Sequence, residues 1–121
     1  MFFSLMAKAE LFKRNTNGNL QVINALINAG SAPKNLHPIE HHFYCFEETC
    51  IEALKKKGEA LGFKLANLGS NIEDGVVYWY GDLIKPEALG LSSINKTNIV
   101  MLQLAQDIGA EYDGWGTSVV K

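Results

Sequence analysis

Excess of any kind is missing from this chain. Lys and Arg number 11 against 13 Asp and Glu, a net charge of −2 over 121 residues. That disfavours a general nucleic-acid or anionic-membrane binder, which carries a net basic surface. Cysteine is scarce: Cys45 and Cys50 are the only two. Two thiols do not make a secreted disulfide scaffold, and the pair reads as buried structural thiols. No run approaches the roughly 20 apolar residues that span a bilayer. The apolar opening Met1-Phe2-Phe3-Ser4-Leu5-Met6 is too short for a signal-peptide core and has no basic leader. Low-complexity segments and repeats at solenoid period are also absent. What is left is an ordinary globular balance, with 47% hydrophobic and 20% charged residues. It fits one domain with one core, in a reducing, cytoplasmic setting.

Periodicity fills in that domain. Residues 1–15 are poorly specified and end near Lys13-Arg14; residues 16–121 read as a single domain. Leu20, Ile23, Leu26 and Ile27 recur at helical spacing, and Gly30 supplies the stop, so a helix is predicted over 17–29. Ser31 to Pro38 is a connector. Ile39 to Phe46 is a strand by composition. Its alternation puts Ile39, His41, Phe43 and Cys45 on one face and Glu40, His42, Tyr44 and Phe46 on the other. A helix follows from Glu47-Glu48 to Leu61, where Gly58 permits close packing on the sheet. Strands are expected over 63–68 and 76–83, with 71–75 as the turn between them. Lys85 to Leu91 reads as loop. Ser92 or Ser93 caps a helix running to Ile108, and Glu111 to Thr117 forms the last strand, whose glycines suggest a bulge or close backbone contact within it. An initial helix followed by βαββαβ is an α+β, ferredoxin-like split-βαβ order with an antiparallel sheet. Right-handed crossovers then put both helices on one face.

Few constellations carry chemistry. His41 and His42 point to opposite faces, and no zinc spacing recruits His37, Cys45 or Cys50. No metal and no cofactor is expected. His41 reads as a hydrogen-bonded core histidine and His42 as a surface one. Glu111 and Asp113 share a face by their i, i+2 spacing. With no nucleophile or pocket beside them, they serve better as guards of an edge strand than as an acid–base pair. Phosphate-loop and dinucleotide motifs are lacking. If the helices cover one sheet face, His42, Tyr44 and Phe46 stand on the other, joined by either Tyr78 and Tyr80 or Val77 and Trp79. Such aromatics on an open sheet are how RNA-recognition domains stack bases. Lys13, Arg14, Lys34 and Lys64 would supply local positive charge.

The string Glu111-Tyr112-Asp113-Gly114-Trp115-Gly116-Thr117, preceded by Ile39-Glu40-His41-His42-Phe43, resembles the RraB family of ribonuclease E inhibitors. The likeness extends from about Leu20 onward. It includes the Gly30-Ser31 helix end, Leu61-Gly62-Phe63 and the acidic turn Glu73-Asp74-Gly75. The resemblance implies a ferredoxin-like α+β fold and a cytoplasmic, non-enzymatic regulator. Its implied partner is RNase E, bound chiefly through that enzyme's non-catalytic scaffold region. It implies neither a membrane nor a metal partner. The better-known members are strongly acidic, so if acidity drives binding to basic segments of RNase E, weaker binding or binding elsewhere is expected at −2. The expected contact residues are Glu40, His42 and Tyr44 of the first strand with Glu111, Asp113 and Trp115 of the last. The alternative is a single-stranded RNA-binding module using the aromatic sheet face.

Overall fold

The computed structural model describes residues 18–121. The amino-terminal segment, Lys13 and Arg14 included, lies outside the described residues. The element order is α1 (Asn19–Asn28), β1 (His37–Cys45), α2 (Glu48–Ala60), β2 (Lys64–Glu73), β3 (Val76–Glu87), α3 (Leu91–Ile108) and β4 (Glu111–Gly116). The four strands form one sheet in the order β2-β3-β1-β4, with every neighbour antiparallel. The ferredoxin-like reading therefore holds, with α1 as the addition. β4 lies at an edge beside β1, as the element order requires.

Both long helices pack on one face. Leu54 of α2 and Met101, Leu104 and Ala105 of α3 close over Phe43, Phe63 and Leu83. α1 joins the same layer rather than covering the other face. Its Ile23 packs with Ile39, Leu89 and Ile94, and Trp115 lies against that cluster. Gly58 carries out its expected role: a Cβ there would meet Leu83 Cδ2 at 2.5 Å. Only hydrogen lets α2 approach the sheet this closely.

Three local expectations are overturned. β2 runs on to Glu73, so the turn shrinks to Asp74-Gly75, both at positive φ (50° and 80°). That conformation suits a two-residue hairpin turn, and the strands zip to its base. β3 likewise continues through Lys85 to Glu87, because β1 begins early and pairs His37 with Glu87. No serine side chain caps α3: Gly90 holds the N-cap, and Ser93 Oγ donates to its carbonyl at 3.0 Å.

The cysteines are a further correction. Cys45 and Cys50 are joined in a disulfide, not held as thiols. The end of β1 and the first turn of α2 bring their Cα atoms to 5.7 Å, inside the range that a disulfide spans.

Candidate functional site: the uncovered sheet face

Alternation in β1 sends His37, Ile39, His41, Phe43 and Cys45 inward, all buried, and leaves Glu40, His42 and Tyr44 on the side away from the helices. Cross-strand pairing decides which β3 residues join them. Tyr44 lies opposite Tyr80, His42 opposite Asp82 and Glu40 opposite Ile84. The Tyr44 and Tyr78 rings meet edge-on at 5.9 Å, and Tyr78 and Tyr80 are 6.4 Å apart. Of the two β3 sets, the tyrosines are therefore the ones on the open face. Val77 and Trp79 take the other.

The Tyr80 ring covers Gly69 of β2; a Cβ there would collide with it, so a glycine is needed beneath it. Next to this glycine the β2–β3 register slips between Ala66 and Gly69. The irregularity holds Asn67 at φ 53°, where its Nδ2 donates to Asp82 Oδ2 at 2.8 Å. On the other side His42 Nδ1 lies 2.7 Å from Asp82 Oδ1. The carboxylate is thus gripped at both oxygens, with its side chain only 14% exposed. Tyr44, Tyr78, Tyr80, His42, Asn67 and Asp82 line a groove of about 320 Å³.

β4 extends this face with Glu111, opposite Tyr44. It then bulges between the partners of His41 and Phe43, with Gly114 at φ 89°. A bulge inserts one residue and reverses the side on which later residues fall. Tyr112 pairs with Phe43 and Trp115 with His41, so both point toward the helices. The expectation that Trp115 shares the open face with Glu111 and Asp113 fails for this reason. Instead Trp115 Nε1 donates to Asn19 Oδ1 at 2.8 Å. Asn19 Nδ2 donates to Asn95 Oδ1 at 2.8 Å and Asn98 Oδ1 at 2.7 Å. Asn98 Nδ2 donates to Tyr112 Oη at 3.0 Å, which meets His41 Nδ1 at 2.9 Å. Burial holds His41 down at a pKa of about 4, with His42 a smaller cause in the same direction. Burial also raises the Tyr112 phenol. His41 is a neutral core residue, as expected of it.

The open face is strongly one-signed. Glu40, Asp82 and Glu111 stand on it, with Glu73 at its far corner and Asp113 at the bulge, while Lys64 is its one lysine among the described residues. The Tyr44 hydroxyl registers the field. Partial burial raises its pKa, and Asp113, Tyr78 and Asp82 push the same way. Glu40, His42 and Asp82 also place one potential metal-ligand atom each within 4.8 Å of one another. Spacing alone did not assemble this group, because Asp82 arrives from another strand. Asp82 and Asn67 were absent from the sequence reading, and Tyr78 and Tyr80 entered it only as one of two sets for the aromatic face. The signal for Asp82 was the alternation Tyr78, Tyr80, Asp82 in β3.

Fold and site together define a small ferredoxin-like protein with one helix-covered face and one acidic, tyrosine-bearing face. Residues 16–117 match the family described as "Regulator of ribonuclease activity B". The chain belongs to the RraB family. Relatives bearing that description include a protein of Photobacterium profundum, 32% identical over 93% of this chain and 86% of its own length. One from Pseudoalteromonas translucida is 30% identical over 79% of this chain and 87% of that protein. One from Escherichia coli K12 is 28% identical over 93% and 82%. Among the described residues no helix is long and apolar enough to cross a membrane.

Proposed function

We propose that this protein is a non-enzymatic, cytoplasmic regulator that binds and inhibits RNase E, using the sheet face opposite the described helices. Family membership over residues 16–117 supports the ribonuclease part of the reading. The observation that carries the choice of surface is the segregation of charge: Glu40, Asp82, Glu111 and Asp113 gather beside three tyrosines on one face. A net charge of −2 therefore understates the local field. Glu40, His42, Tyr44, Glu111 and Asp113 belong to the proposed contact surface. Trp115, turned toward the helices, contributes by holding the strand in place.

Single-stranded RNA is the competing occupant, favoured by the tyrosines, since base stacking on aromatics is sequence-tolerant. The carboxylates oppose it, because phosphates approaching this face meet like charge. Pull-down with RNase E scaffold fragments at low salt tests the first reading: enrichment by the intact chain is expected, and its absence would sink the proposal. Titration with single-stranded RNA is expected to give no salt-dependent binding at micromolar concentration.

A further inference from the structure

We infer that the groove around Asp82 is a receptor for an arginine side chain, presented by a basic polypeptide segment of the partner. The inference rests on the reading of this face as the partner surface and names the chemistry that the face selects. Asp82 is held by His42 and Asn67, yet each carboxylate oxygen keeps a second lone pair. Its orientation is already fixed, so docking a fork of N–H donors needs little reordering. Tyr44, Tyr78 and Tyr80 line the same groove and give it ring surface. A planar guanidinium stacks on such rings while it pairs with the carboxylate; a lysine ammonium does so less well. The volume of about 320 Å³ lies at the lower end of ligand pockets, which span roughly 300–1,000 Å³. It suits a side chain better than a large cofactor.

Beyond the groove the field stays negative. Glu40 stands two residues from His42 along β1, and Glu111 and Asp113 carry the charge to the β4 edge. The residues flanking the arginine are therefore basic as well, and a phosphodiester chain is repelled along the same path.

Calorimetric titration of the full chain with oligoarginine, oligolysine and single-stranded RNA tests this. Oligoarginine is expected to bind roughly tenfold tighter than oligolysine of equal length, an advantage of about 1.4 kcal/mol. Tyr78→Ala and Asp82→Asn should each weaken oligoarginine about tenfold, while Glu52→Gln on the exposed side of α2 leaves it unchanged. Asp82→Asn also removes contacts of His42 and Asn67. Glu40→Gln, at a side chain outside that pair of bonds, is the second arm and should weaken binding several-fold. Equal affinity for the two peptides, or full affinity in both Tyr78→Ala and Glu40→Gln, overturns the groove. So does RNA competing at the same residues. Capture of RNase E fragments equally by the wild type and Tyr78→Ala overturns the groove but keeps the regulator reading. Tight oligoarginine binding without RNase E capture does the reverse.

Discussion

His41 shows how a single residue couples this fold to pH. It is 1% exposed, its Nδ1 bonds to Tyr112, and its Nε2 has no partner among the described residues. Charging it inside the core is costly, which is why its pKa falls from 6.5 to about 4. The unfolded chain takes up a proton near 6.5, while the folded chain resists until about 4. The contribution of neutral His41 is thus complete above 6.5 and is lost as pH falls through that window. The loss is on the order of 3 kcal/mol. Urea midpoints measured from pH 7 to 4 should fall steeply for the wild type and more shallowly for His41→Gln. Equal slopes would show that another group governs acid sensitivity. Alternation alone identified His41 as core and His42 as surface, because period-two strands assign faces without tertiary knowledge. The same logic missed Asp82, whose partner His42 lies 40 positions away. A pair of that kind exists only once two strands are in register.

Among elements, α2 carries the sharpest test. Gly58 sits in the last turn of α2, where alanine would ordinarily gain up to about 1 kcal/mol. Here the new methyl would fall 2.5 Å from Cδ2 of the fully buried Leu83. Overpacking against a side chain that cannot retreat costs about 1–3 kcal/mol. Gly58→Ala should therefore lower stability by about 1–2 kcal/mol in denaturant melts. A gain would mean that the helix can slide on the sheet. The helices were legible in the sequence because their apolar stripes repeat over many turns. The β2–β3 hairpin was not: Asn71, Asp74 and Gly75 are all turn-formers, and nothing local says that only the last two turn. Pairing with β3 overrides the poor strand propensity of Gly69 and Asn71. The glycines of β4 do suggest a bulge or a close backbone contact. Which residues it turns inward is fixed only when the partner strand sets the count.

At the scale of the whole molecule, two features set how it sits in its surroundings. Charge is nearly balanced in sum and segregated in space, so association through the sheet face should depend on ionic strength more than −2 suggests. The Cys45–Cys50 disulfide closes a short loop, which in the chain-entropy account is worth about 2 kcal/mol. Denaturation with and without reductant should show a loss of this size with the native spectrum retained; an unchanged midpoint would show that the cross-link adds nothing. The proposed cytoplasmic setting favours thiols. Both sulfurs belong to buried residues, 0% and 7% exposed, and poor access slows thiol exchange.

The bulge at Gly114 has a consequence for what the family string means. It puts a change of frame inside β4, so one strand sends Glu111 outward and then Tyr112 and Trp115 inward. The aromatics that mark the family are joinery between sheet, α1 and α3. A chain can keep that string intact and still rewrite Glu40, His42, Tyr44 and Asp82. Within that string the aromatics are tied to the fold, while Glu111 and Asp113 belong to the surface proposed for the partner.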